Sequence, residues 1–166
     1  MRIGIALGSN LGDRLANLRY ARQGIVDLTA AKDSILVSPI YETEPIGCEP
    51  GANKFLNAVL EIEYDGDPTD LLQELIRIEE LLGRVRNHAR NVSRKIDIDL
   101  LFADDLSVQN ECLQLPHPRL HQRKFVLQPL ADIRPSLILP NQTKTVRELL
   151  AQIEDSTKVI CFAEKW

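Results

Sequence analysis

Apolar and polar positions alternate with two different periods along this chain, and the switches between them mark its elements. Ile3 to Leu7 is a short apolar run, read as a buried strand, and it breaks at Gly8-Ser9-Asn10-Leu11-Gly12. Leu15, Leu18, Ala21, Ile25 and Leu28 then recur at helical spacing, with Asn10 and Asp13 placed as polar residues of a helix N-terminus. Ser34 to Thr43 reads as a second strand, in which Pro39 marks an edge or a bulge, and Glu44 to Gly51 as a loop rich in breakers. Lys54 to Tyr64 is a third strand. Its Leu56, Ala58, Leu60 and Ile62 share one face, and Phe55, Asn57, Val59 and Glu61 share the other. Asp67-Pro68 starts a second helix, Leu71, Leu75, Ile78 and Leu82 form its apolar stripe, and Gly83 ends it. Ile96 to Phe102 is a fourth strand, turned by Asp104-Asp105. A region punctuated by Pro116, Pro118, Pro129, Pro135 and Pro140 follows, with a last short helix over Val146 to Ile153.

The order strand, helix, strand, strand, helix, strand predicts an α+β protein: a ferredoxin-like βαββαβ sandwich with an antiparallel sheet and a C-terminal extension. Helices would cover one face of that sheet and leave the other for a ligand. The length of 166 residues fits a single domain over 1–166 with a core of its own.

Composition narrows the class. Hydrophobic residues make up 44% and charged residues 27%, as in ordinary globular proteins, and the formal net charge of -4 argues against a nucleic-acid partner. Cys48, Cys112 and Cys161 lie far apart with no metal spacing and read as reduced thiols. No apolar run has signal-peptide or membrane-spanning length, so the expectation is a cytoplasmic protein with no membrane partner.

The sharpest candidate for chemistry is Ile96-Asp97-Ile98-Asp99-Leu100. Strand alternation puts Asp97 and Asp99 on one face, roughly 6–7 Å apart at a rise of about 3.3 Å per residue. Two hard carboxylates at that separation suit one or two Mg²⁺ ions, although an aspartate pair alone is also what a solvated strand face carries. A basic run changes the balance: Arg84, Arg86, Arg90, Arg94 and Lys95, with His88 among them, lead into the aspartate strand. Arginine forks match phosphate oxygens, and the helix macrodipole accounts for Arg84 and Arg86 but hardly for the rest. His117, held between Pro116 and Pro118, has Arg119 and Arg123 nearby. Phe55 and Asn57 on one strand face suit a flat, hydrogen-bonding heterocycle, on which Phe125 could close. Glu79 sits at the edge of the second helix's apolar stripe, placed either to bond an incoming group or to pair with an arginine. No Walker A loop or Rossmann fingerprint is present, so arginines and metal would have to hold any phosphates.

Taken in order, these residues resemble the 6-hydroxymethyl-7,8-dihydropterin pyrophosphokinase family of folate biosynthesis. The resemblance runs from Ile5-Ala6-Leu7-Gly8-Ser9-Asn10-Leu11 through Tyr41-Glu42-Thr43-Glu44-Pro45-Ile46-Gly47 and Phe55-Leu56-Asn57-Ala58. It continues with Arg77-Ile78-Glu79, Gly83-Arg84-Val85-Arg86, Arg94-Lys95-Ile96-Asp97-Ile98-Asp99-Leu100 and Pro116-His117-Pro118-Arg119. It implies a monomeric transferase that moves pyrophosphate from ATP to the pterin hydroxymethyl group and leaves AMP. It implies two Mg²⁺ ions on Asp97 and Asp99, with Arg84 and Arg94 joining these two in catalysis. Glu79, Arg84, Arg86, Arg94, His117 and Arg123 would meet ATP. Phe55, Phe125, Asn57 and Asp97 would hold the pterin, with backbone groups near Thr43 and Ile46. Where the family usually has tryptophan-glycine-proline before the arginine, this chain reads Asn91-Val92-Ser93-Arg94.

Overall fold

A computed structural model describes residues 1–45, 47–83 and 93–166. The central strand is β1 (Arg2–Ser9), which pairs antiparallel with β4 (Phe55–Glu63) on one side and β5 (Asp97–Ala103) on the other. Beyond β4 lie β2 (Leu36–Val37) and β3 (Ile40–Thr43), and β3 is flanked in turn by β8 (Val159–Ala163), so the main order is β5-β1-β4-β3-β8. A small hairpin of β6 (Val108–Gln109) and β7 (Gln114–Leu115) stands apart from the sheet. The split βαβ order is the expected ferredoxin-like one, with β8 added at the edge.

Local chemistry explains most element ends. Helix α1 (Arg14–Leu28) is capped by Asp13, whose carboxylate accepts the Ala16 amide at 3.0 Å. Asn10, expected at this cap, is drawn away to the site described below. Helix α2 (Pro68–Leu81) starts as predicted, with Asp67 accepting the Thr69 amide at 2.7 Å and Pro68 first in the helix. It ends at Gly83, whose φ of 85° lies in the left-handed region that glycine tolerates. The strand expected over 34–43 is broken in two. Ser38 is fully buried between β2 and β3 and exchanges hydrogen bonds with Val59 through its own backbone N–H and its hydroxyl, so the ladder continues while the chain shifts at Pro39.

One sheet face is the expected core. Ile3, Ile5 and Leu7 sit opposite Ile62, Leu60 and Ala58, and pack under Leu18, Ala21 and Ile25 of α1 and Leu71, Leu75 and Ile78 of α2. The other face departs from expectation, because the proline-punctuated tail folds back over half of it. Helix α3 (Lys124–Ile133) and helix α4 (Val146–Gln152) build a second core with Val59, Leu101 and Phe102, in which Leu127 and Leu130 are fully buried. Pro129 lies inside α3, where it forgoes the hydrogen bond its N–H would have made to the Phe125 carbonyl; the apolar stripe overrides that cost. Gly4 makes room for this second core, since a Cβ there would stand 2.2 Å from the Phe102 ring.

Glu61, expected on the open face, is only 3% exposed. The Arg134 guanidinium, just after α3, grips it, its Nε donating to both carboxylate oxygens at 2.9 Å and its Nη2 adding a further bond. A buried carboxylate stripped of its partner is costly. Arg134→Ala is therefore expected to destabilise the fold by about 3 kcal/mol, read as a lowered urea midpoint at unchanged m-value. The double change Glu61→Gln with Arg134→Met, which removes both charges, should lose less than the single one.

Candidate functional site

The second face is left bare at one end, and there the pocket opens. Alternation along β1 turns Gly4, Ala6 and Gly8 to this face. Gly8 pairs with Asn57 of β4 on one side and Asp97 of β5 on the other. A Cβ on Gly8 would lie 3.4 Å from Asn57 Oδ1 and about 4.0 Å from both the Asp97 Cβ and the Phe55 ring. The absence of that side chain is what lets an amide, a carboxylate and an aromatic ring share one floor.

The walls collect most of the residues singled out from sequence. Phe55, Asn57 and Thr43 stand on one side, Asp97, Asp99 and Arg94 on another, and Arg123 and Phe125 close from the start of α3. Asn57 is buried and donates from Nδ2 to Thr43 Oγ1 at 2.9 Å, which orients its carbonyl oxygen. The expected exposed face of β4 is thus half-buried at Phe55 and closed at Asn57. Arg94 Nη1 meets Asp97 Oδ1 at 2.8 Å, and Arg123 Nη1 meets Asp99 Oδ2 at 3.6 Å. The Arg123 guanidinium also lies 5.6 Å from the Phe125 ring centroid, a cation–π distance. Burial pushes the Arg123 pKa down, and Arg119 adds to that shift.

His117 rims an adjoining groove that shares Asp99 with the pocket. Its backbone N–H donates to the Leu101 carbonyl at 2.7 Å, which ties it to β5, and its Nδ1 accepts the Arg119 amide at 3.2 Å. That bond puts the proton of the neutral ring on Nε2. Burial, with Arg123 and Arg119 nearby, lowers its pKa to about 4. Glu79 is 3% exposed and its Oε1 accepts the Ile98 amide at 2.7 Å, so its carboxylate braces the strand that carries both aspartates. Arg84, Arg86 and Ile46 lie outside the described residues.

Several contributors were not singled out from the sequence. Ala6 and Gly8 form the floor, and Cys48 and Glu44 line the loop side, where burial raises the Cys48 thiol pKa. Asn10 is the largest omission. Fully buried, it accepts the Arg94 amide on Oδ1 at 2.7 Å and donates from Nδ2 to Ser93 Oγ at 2.9 Å and to the Asn53 carbonyl at 3.3 Å. One side chain thereby ties the segment bearing Arg94 to the loop before β4. Arg14 secures the same loop by donating to Glu42 and to the Lys54 carbonyl, both at 2.9 Å. Small residues alternating along β1 and a polar residue just past its end were the available signals.

Two carboxylates, Asp97 and Asp99, stand together in the lining of the pocket. Among the described residues no group of three or more metal-binding side chains occurs. Mg²⁺ is commonly held by one or two carboxylates together with substrate phosphates, and Asp97 and Asp99 on one strand face supply that number. Among the described residues, no helix is long and apolar enough to cross a membrane.

The chain is similar to known proteins over most of its length. The family model for 7,8-dihydro-6-hydroxymethylpterin-pyrophosphokinase matches residues 4–135. The 2-amino-4-hydroxy-6-hydroxymethyldihydropteridine pyrophosphokinase of Bacillus subtilis is 44% identical over 129 residues, covering 78% of this chain and 75% of its own. The protein of the same name from Haemophilus influenzae is 38% identical over 91% of this chain and 92% of its own. In fold, the chain superposes on the HPPK-DHPS of Plasmodium falciparum, crystallised with pteroate, with a TM-score of 0.67 at 17% identity, over 91% of this chain and 42% of that one.

His117 generates a pH prediction. Its folded pKa of about 4 lies below the ordinary 6.5. Between those values the unfolded chain binds a proton that the folded chain does not, so His117 lowers stability as pH falls through that window. His117→Asn is expected to flatten the stability slope between pH 6.5 and 4, read from chemical denaturation at a series of pH values. An imidazole NMR titration should show His117 still neutral at about pH 5.

Proposed function

The chain belongs to the 7,8-dihydro-6-hydroxymethylpterin-pyrophosphokinase family, and from that premise we propose which of its residues perform the reaction. The enzyme transfers pyrophosphate from ATP to 6-hydroxymethyl-7,8-dihydropterin, a step of folate biosynthesis. The observation that carries the assignment is one pocket with an aromatic and amide wall facing a wall of paired carboxylates and guanidiniums.

The pterin lies between Phe55 and Phe125, over the bare backbone of Gly8. The Asn57 carbonyl oxygen, fixed by the bond to Thr43, accepts from the ring's N–H groups. Backbone groups near Thr43 and Ile46 complete the slot, and Asp97 stands at the hydroxymethyl end. Asp97 and Asp99 are the groups that would hold two Mg²⁺ ions, whose chemistry is to neutralise charge on the phosphate oxygens. Arg94 and Arg123, held in place by their carboxylate partners, donate to the phosphate oxygens, and His117 as a neutral Nε2–H donor extends that line. Arg84 and Arg86 add guanidiniums from outside the described residues. Glu79 serves ATP from beneath, by fixing the Ile98 backbone and with it the spacing of the two aspartates.

The hydroxymethyl oxygen attacks the β-phosphorus in line. A bond forms between them as the hydroxyl O–H bond breaks and its proton passes to solvent, the bond from the β-phosphorus to the α,β-bridging oxygen breaks, and AMP departs with that oxygen and the bonding electron pair. Positioning and charge stabilisation carry the acceleration, since phosphoryl-type transfer asks little covalent chemistry of the protein. One chain, over residues 1–166, supplies every group named.

Three measurements test this reading. ATP and the dihydropterin with Mg²⁺ should yield AMP by ³¹P NMR; ADP as product would overturn it. Asp97→Ala should lower kcat by about 10²–10³-fold or more while leaving the denaturation curve close to wild type. Phe125→Ala should raise the pterin KM about tenfold and leave the ATP KM little changed.

A further inference from the structure

Helix α3 begins without a cap of its own. The residue before its first turn is Arg123, a side chain with donors only, and it makes no capping bond. The acceptor comes from far along the chain instead. Asp155, in the loop between α4 and β8, takes the Lys124 amide on Oδ2 at 3.2 Å. Its other oxygen, Oδ1, accepts from Thr157 through the backbone amide at 2.8 Å and through the hydroxyl. Burial opposes the charge on this half-buried carboxylate, yet the Thr157 and Lys124 donors outweigh it and hold its pKa below the ordinary value. A carboxylate at a helix N-terminus also suits the positive end of the macrodipole.

The capped residue, Lys124, stands between Arg123 and Phe125, which both line the pocket. The loop carrying Asp155 is itself fixed at both ends. On one side α4 and the residue after it press Leu149, Leu150 and Ile153 against the second core. On the other, Val159 pairs with Thr43 at the end of β3, and Thr43 accepts from Asn57 in the pocket wall. The short run from Asp155 to Val159 thus joins the two sides of the slot, Phe125 on α3 and the Thr43–Asn57 wall on the sheet. Arg123 has a further tie in its pairing with Asp99. Phe125 has no polar side-chain group to tie down, so its place over the slot follows the first turn of α3.

We propose that Asp155 is a positioning residue for the reaction: by capping α3 from the loop before β8, it sets the spacing between Phe125 and the Thr43–Asn57 wall, and so how tightly the pterin is held. The proposal rests on the pterin assignment given above. It gives the C-terminal extension a part in substrate recognition, although no residue after Val126 lines the pocket.

Steady-state kinetics of AMP formation with the dihydropterin and Mg-ATP test it, with Thr145→Ala as a matched control. Thr145 caps the neighbouring helix α4 through a capping box and lies outside the pocket lining. Asp155→Ala should raise the pterin KM about fivefold, the equilibrium equivalent of one lost helix cap, with the ATP KM and kcat changed far less. Thr145→Ala should lower the urea midpoint by a similar amount and leave the pterin KM at its wild-type value. Combined with Phe125→Ala, Asp155→Ala should add nothing further to the pterin KM, because the ring it positions is gone. An unchanged pterin KM in Asp155→Ala, an equal rise in Thr145→Ala, or full additivity in the double variant overturns the proposal and leaves the pterin assignment standing. A wild-type pterin KM in Phe125→Ala alone overturns the pterin assignment, and this inference with it.

Discussion

Everything at the pocket depends on what β1 lacks. Three of its residues facing the second side, Gly4, Ala6 and Gly8, are small, and each omission serves a neighbour: Gly4 admits the Phe102 ring, while Ala6 and Gly8 clear the pocket floor. The central strand of a sheet is ordinarily the worst place for glycine, because it forfeits packing and conformational entropy. Here the strand's other face carries Ile3, Ile5 and Leu7, fully or almost fully buried, and that core holds the strand in place. A strand can be bare on one side when it is anchored on the other.

Strand β4 shows the same division of labour. Its Leu56, Ala58, Leu60 and Ile62 belong to the first core, while Val59 belongs to the second, and Asn57 and Phe55 reach beyond that second core into the pocket. The second core ends where α3 begins, so Arg123 and Phe125 arrive at the pocket as the leading residues of a packed helix. The site is built from rigid elements on three sides, and its loops are tied in by Asn10 and Arg14.

How much of this was legible depends on how local each signal is. The first core and the α2 boundaries follow from periods of 2 and 3.6 and from one capping residue, all within a few positions of one another. Asp97 and Asp99 were legible for the same reason. Asn10 was misplaced at a helix cap because a short polar side chain near a helix start has two uses, and only the fold decides between them. Helix α3 was obscured by Pro129, whose penalty is local while the burial that outweighs it comes from Val59, Leu101 and Phe102 far along the chain. Strand β8 fell within an expected tail because a five-residue edge strand is defined by its partner β3. The floor around Gly8 needs the register of three strands at once, which no single segment carries.

The two arginine–aspartate pairs have an electrostatic consequence for what can enter. Arg94 with Asp97 and Arg123 with Asp99 make these four groups locally neutral, and none of the four side chains is more than 37% exposed. A bare anion that drew the guanidiniums to itself would take an ionic partner from each of two half-buried carboxylates. A bare cation that drew the carboxylates would take one from each guanidinium. Either exchange leaves unbalanced charge in a poorly solvated place, which is costly. Only a guest that brings both signs together, an anion with its own counter-cations, leaves all four groups matched, so the pairing acts as a filter on the ligand's charge pattern as well as on its charge.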